Sequence, residues 1–164
     1  NEFTKALKPL TSKRKKTDED YVQIYRLQFE SSLYVKNGVY IIPGEHFWKS
    51  VCTAAKEQKM GKKFEQSFFI AEDSILDFPE KNLSVDELYE EKTHVDIRDA
   101  GIKDNRIPAC RAIFSEWKTT VECYFDDTQI DYNDVMRFFE IAGLRYGIGT
   151  YRQKYGRFSV KEIR

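Results

Sequence analysis

No run of apolar residues in this 164-residue sequence approaches the roughly 20 that a membrane-crossing helix needs, so a helical membrane protein is excluded. Cysteine is scarce and odd in number, with Cys52, Cys110 and Cys123 far apart. That spacing argues against a disulfide scaffold or zinc framework and fits reduced thiols in a cytoplasmic protein. No stretch has the charged start and apolar middle of a signal peptide, and Asn1-Glu2-Phe3, without an initiating Met, reads as a cloning remnant. Neither sign of charge is in excess: 27 Lys and Arg stand against 27 Asp and Glu. The total therefore gives no general argument for nucleic acid or membrane.

What is present speaks for a folded globular protein, since 41% of residues are hydrophobic and 15% aromatic. Charge is segregated along the chain. Residues 1–16 carry six basic groups against one acid (net +5), as do residues 144–164. Residues 72–99 carry ten acids against three bases (net −7). Positive ends and a negative middle suit polyanion binding. They also suit head-to-tail self-association into rings or filaments rather than only two-fold dimers.

The pattern predicts a basic N-terminal arm over 1–16, with an edge strand at 4–10 limited by Pro9, and a single α+β domain over 17–164. Thr17 to Asp20 reads as a capping box opening a helix to about Leu33. Asn37-Gly38 marks a turn before a strand at 39–42. A helix over 45–60 ends at Gly61 as a C-cap, with a strand from Phe64 to Ala71. Ser84 opens a short helix, 94–97 is a strand, and Gly101 to Pro108 is a loop. The clearest strand is 117–125, where Trp117, Thr119, Val121, Cys123 and Phe125 share one face. A helix over 132–146, capped by Asp131 or Asn133, precedes a closing strand at 157–163. The segments at 39–42, 45–60, 64–71, then 93–97 or 117–125, 132–146 and 157–163 draw a ferredoxin-like order, an antiparallel sheet backed by two main helices with an additional N-terminal one. Trp117, Val121, Cys123, Val135 and Phe139 are the expected core.

Candidate chemistry concentrates after the last helix. Gly147, Gly149 and Gly156 interleave with Tyr151, Arg152, Lys154, Tyr155 and Arg157, just past Arg145. Glycine permits positive φ and close backbone approach; arginine and tyrosine supply phosphate contacts and stacking faces. Lys13, Arg14, Lys15 and Lys16 form a second basic run able to contact phosphates. The glycines do not fit a Walker loop, which ends in Gly-Lys-Ser/Thr, or a dinucleotide fingerprint, which follows a strand. No cofactor or metal is called for; the acids Glu90, Glu91, Asp96 and Asp99 read as a solvated face. Of the two histidines, His46 at a helix start is the only candidate acid or base.

The run from Gly147 through Tyr151-Arg152-Gln153-Lys154-Tyr155-Gly156-Arg157-Phe158, between a helix and a strand, resembles the glycine-rich loop of the RAMP superfamily, the ferredoxin-like RNA-binding proteins of CRISPR effector complexes. That resemblance covers about the last fifth of the chain and implies a loop approaching an RNA backbone. Over most of its length the chain is similar to a family of small phage- and prophage-encoded proteins. Three stretches carry this: Lys36 to Glu45 with Ile42-Pro43-Gly44-Glu45, Arg111 to Trp117, and the terminal loop. The expectation is a phage-type, non-enzymatic RNA- or DNA-binding protein that takes single strands on the loop at 147–157 and forms a homo-oligomer, in the host cytoplasm if phage-encoded. Two other readings stay open. One is a protein-interaction module, an assembly factor or an inhibitor of a host defence with phage or host partners. The other is a RAMP-like, metal-independent endoribonuclease using His46.

Overall fold

The computed structural model describes residues 2–102, 105–152 and 154–163. It is an α+β protein whose described elements are helices and small antiparallel sheets. Contacts group the chain into two compact units: residues 1–40 with 76–118, and residues 41–75 with 119–164.

The first unit opens with α1 (Glu2–Thr11), a helix with Pro9 near its end rather than the expected edge strand. Its Phe3, Leu7 and Leu10 recur at helical spacing and are its half-buried apolar positions, so burial of one stripe decides against extension. Helix α2 (Asp18–Ser32) begins as its sequence dictates: the Thr17 hydroxyl accepts from the Asp20 N–H, and the Asp20 carboxylate accepts from the Thr17 N–H. β1 (Val35–Lys36) turns through Asn37 and Gly38, both at positive φ, into the start of β2 (Val39–Ile42). Ser84 and Glu87 form a second capping box for α5 (Val85–Glu91).

Residues 101–108, expected as a loop, belong instead to a hairpin of β5 (Val95–Ile102) and β6 (Asn105–Ala112); residues 103 and 104 lie outside the described residues. Pro108 does not break it, because it stands opposite Asp99 where the strand has no ladder hydrogen bond to lose. α2 runs beside β6, and Phe29, Leu88 and Cys110 are fully buried in this unit. His94 is buried against the rings of Phe78 and Phe114, which also meet each other. Its Nδ1 donates to the Ile113 carbonyl (2.9 Å), and its Nε2 lies 2.8 Å from a Glu80 carboxylate oxygen.

In the second unit, α3 (Gly44–Glu57) ends earlier than expected, and Lys59 takes the left-handed conformation. Gly61 is not its C-cap but the first residue of α4 (Gly61–Ser67). The expected strand at 64–71 shrinks to β3 (Phe68–Phe69), because burial at Gly61, Phe64 and Ser67 recurs every three residues, a helical interval that a strand's period of two does not match. β4 (Ser74–Ile75) pairs with Ile41 and Ile42. From Trp117 to Phe125 burial alternates as the sequence indicates, yet only β7 (Tyr124–Phe125) joins a ladder, with β3. The terminal segment likewise packs Phe158 and Val160 on the core without forming a strand. α6 (Tyr132–Ile141) is capped by Asp131, whose side chain accepts from the Asp134 N–H. The core combines Val51, Phe64, Phe68, Ile130, Val135, Phe138 and Phe139, with Val121 and Cys123 against it. Trp117 is not part of this cluster; it belongs to the first unit.

Candidate nucleic-acid interface

The loop is built from the end of α6. Past Ile141 the helix widens into a single π turn, Ala142–Tyr146, closed by the Gly147 N–H on the Ala142 carbonyl (2.7 Å). The chain then leaves the core and returns nine residues later. Ile148 donates to the Gly156 carbonyl at the neck (2.9 Å), Tyr155 to the Tyr151 carbonyl at the tip (2.8 Å), and Phe158 to the Gly143 carbonyl on return (3.2 Å). The buried Ser50 hydroxyl on α3 donates to the Gly147 carbonyl (2.8 Å), tying the neck to that helix.

This geometry divides the glycines by purpose. A Cβ on Gly156 would lie 1.8 Å from the Ile148 carbonyl oxygen, and one on Gly143 2.1 Å from that of Phe158. One on Gly147 would meet the Gly156 carbonyl at 2.8 Å. Those three let the chain pack on itself. Gly149 differs: its φ is +87°, and a Cβ there would meet nothing within 4 Å. It is the loop glycine whose backbone faces open space.

The charged groups divide similarly. Arg145 pairs with Glu57 at the end of α3, and the Tyr146 hydroxyl donates to the same carboxylate (2.7 Å). That hydrogen bond, with partial burial and the charge of Glu57, raises the Tyr146 hydroxyl above its ordinary value. Arg157 donates to the Leu144 carbonyl (2.7 Å). Arg152 and Lys154 are exposed at the tip, beside Tyr151 and Tyr155, whose rings meet edge-on at 6.4 Å. The Lys154 ammonium stands 5.6 Å from the Tyr155 ring centre.

His46, in the first turn of α3, lies within electrostatic reach of Arg152. Burial lowers its imidazole below the ordinary value; Lys49 and Arg152 add to this, while Glu45 and Asp73 oppose it. The ring is therefore neutral at neutral pH. Asp73 also accepts from the first N–H of α3, that of Gly44 (3.2 Å). The second basic run belongs to the first unit. Lys13 is committed to Asp20 (2.5 Å) and Lys16 to the Lys13 carbonyl (2.9 Å), whereas Arg14 and Lys15 are exposed.

Sequence reading missed Glu57 and Ser50, which fix the loop from α3; residues some ninety positions away leave no local signal. It also missed the cross-strand pair Phe69 and Tyr124, stacked at 5.2 Å and half exposed. The Tyr124 hydroxyl is hydrogen-bonded to Glu122, and that bond first, then the charge of Glu122, desolvation and the charge of Glu72, raises its titration. Among the described residues no three His, Cys, Asp or Glu side chains gather to hold a metal ion, and no helix is long and apolar enough to cross a membrane. Comparison of the chain with protein-family models, curated proteins and solved structures finds no match.

Proposed function

We propose that the protein is a non-enzymatic, phage-type nucleic-acid-binding protein that self-associates and takes single-stranded RNA or DNA on the tip of the 147–157 loop. The observation that carries this reading is Gly149, left open at positive φ three residues from exposed Arg152 and five from exposed Lys154. A backbone free of Cβ admits a phosphate closely, and two cations nearby neutralise it. Tyr151 and Tyr155 supply rings for sequence-tolerant stacking. Arg145, Arg157 and the glycines of the neck act as the frame. A RAMP-like, ferredoxin-like order is part of the proposal: in the second unit the end of β2, α3, β3, β7, α6 and the terminal extended segment come in that chain order, with α4 and β4 interposed.

The test is fluorescence anisotropy with unstructured oligouridine and oligothymidine across a salt series. Each phosphate contact contributes about 0.7 to the slope of log affinity against log salt for single strands. The double substitution R152Q/K154Q is expected to weaken binding and to reduce that slope by about 1.4. Absence of wild-type binding at ~50 mM salt, where electrostatic association is strong, refutes the reading.

A second reading, a protein-interaction module, is favoured by the exposed Phe69–Tyr124 pair with Glu72 and Glu122 around it. An aromatic pair among carboxylates suits a basic polypeptide better than a polyanion. If oligonucleotides fail to bind, this face is the next to test.

A further inference from the structure

Among the described residues, the β5–β6 hairpin has one edge covered by side chains of α2 and one edge with no paired strand. The Ile113 N–H donates to the His94 carbonyl (2.9 Å). Alternation along the ladder then makes Asp96–Arg111 and Arg98–Ala109 hydrogen-bonding pairs, while Val95–Ala112, Ile97–Cys110 and Asp99–Pro108 turn their backbone groups outward. On the β6 side the outward positions 108, 110 and 112 are dealt with. The Ala112 N–H donates to the Ser32 hydroxyl and the Cys110 N–H to the Gln28 side-chain oxygen, both at 2.8 Å, and Pro108 has no N–H. On the β5 side the Val95 N–H donates to the Lys92 carbonyl (3.1 Å), and beyond it Ile97 presents an outward backbone and a side chain 51% exposed. An uncovered strand edge is a template for another strand.

We propose that β5 pairs antiparallel with β5 of a second copy about a two-fold axis at Ile97, giving a four-stranded sheet across the dimer. Charge selects both the occupant and the register. Outward residues must meet outward residues, so the axis passes through a residue. An axis at Asp96 sets that carboxylate against its own copy, and one at Arg98 does the same with two guanidinium groups; like charges directly opposed are destabilising. At Ile97, Asp96 of each copy faces Arg98 of the other, in the closer, non-hydrogen-bonded kind of pair. Asp96 and Arg98 already pair within one chain (2.5 Å), so the dimer joins four alternating charges into one network. The exposed isoleucines meet at the centre. This deepens the self-association in the proposed function by adding an isologous contact, and it takes nothing from the loop.

Sedimentation equilibrium on the full chain tests it through Asp96→Arg and Arg98→Asp. Each variant alone opposes like charges at both positions and is expected to dimerise at least about tenfold more weakly than wild type. An equimolar mixture opposes unlike charges throughout the heterodimer, although neither chain regains its internal Asp96–Arg98 pair. The mixture is therefore expected to dimerise, a rescue that a purely internal role for the pair would not produce. Ile97→Cys is expected to cross-link to itself on mild oxidation, its Cα atoms lying about 5.5 Å apart in a hydrogen-bonded pair. Val95→Cys, which faces Asp99 of the second copy, is not. A wild-type chain that stays monomeric at its highest attainable concentration, or a mixture that stays monomeric with both variants folded by circular dichroism, overturns the proposal. If either charge variant unfolds, the Ile97→Cys cross-link decides. Oligonucleotide binding by wild type in the same preparations separates failure of this contact from failure of the loop reading.

Discussion

Gly149 and Gly156 lie in one loop at similar positive φ, +87° and +72°, yet replacing each with alanine should give unequal outcomes. An L side chain at such a φ costs on the order of 1–2 kcal/mol. At Gly149 that is the whole effect, since the new methyl meets nothing within 4 Å. At Gly156 the methyl would sit 1.8 Å from the Ile148 carbonyl oxygen, so the neck must open. Opening it breaks the Ile148–Gly156 hydrogen bond, for a total of about 2–4 kcal/mol or more. For a chain of this size the melting temperature should fall by roughly 5 °C for Gly149→Ala and roughly 9 °C or more for Gly156→Ala. Thermal unfolding by circular dichroism reads the difference, and limited proteolysis reports whether the loop has come loose. Anisotropy then separates binding from stability, because Gly149→Ala places its methyl where the strand is proposed to approach and should weaken oligonucleotide affinity while the fold survives. Equal destabilisation by the two changes would refute the division of the glycines into frame and contact.

Phe138 is fully buried and meets Phe64 edge-on at 5.0 Å in the second unit. Phe138→Ala should cost about 3–5 kcal/mol in chemical denaturation, and a loss below 1 kcal/mol would mean that the core is misassigned. Burial pushes the Cys52 thiol up to about 12, with Glu65 adding to the shift and Lys56 opposing it. The thiolate that reacts with alkylating agents is thus absent from the native protein at pH 8, and labelling of Cys52, followed by mass spectrometry, should require denaturant. Rapid native labelling would contradict the burial of α3.

Some features of the fold were legible because their causes are local. The capping boxes Thr17/Asp20 and Ser84/Glu87, the Asp131 cap and the Asn37-Gly38 turn each satisfy backbone groups within a few residues, so they survive any tertiary context. The glycine-rich loop after α6 was visible for the same reason. Burial alternation over 117–125 was also correct, because a period of two requires only one apolar face against a core. Tertiary structure decided whether such a segment finds a partner. A ladder needs a second strand at the right distance, which Tyr124 and Phe125 have in β3 and which their predecessors, apart from Lys118 opposite Asp77, do not. It likewise turned 64–67 into helix by burying Gly61, Phe64 and Ser67 on one helical face, and made 101–108 hairpin by placing Pro108 where no hydrogen bond was due. The sequence placed three glycines and a row of cations at one loop. Only contacts with distant residues, Glu57 holding Arg145 and the Ile148 and Phe158 carbonyls excluding a Cβ at Gly156 and Gly143, separate those that hold the loop from Gly149, Arg152 and Lys154, which face solvent.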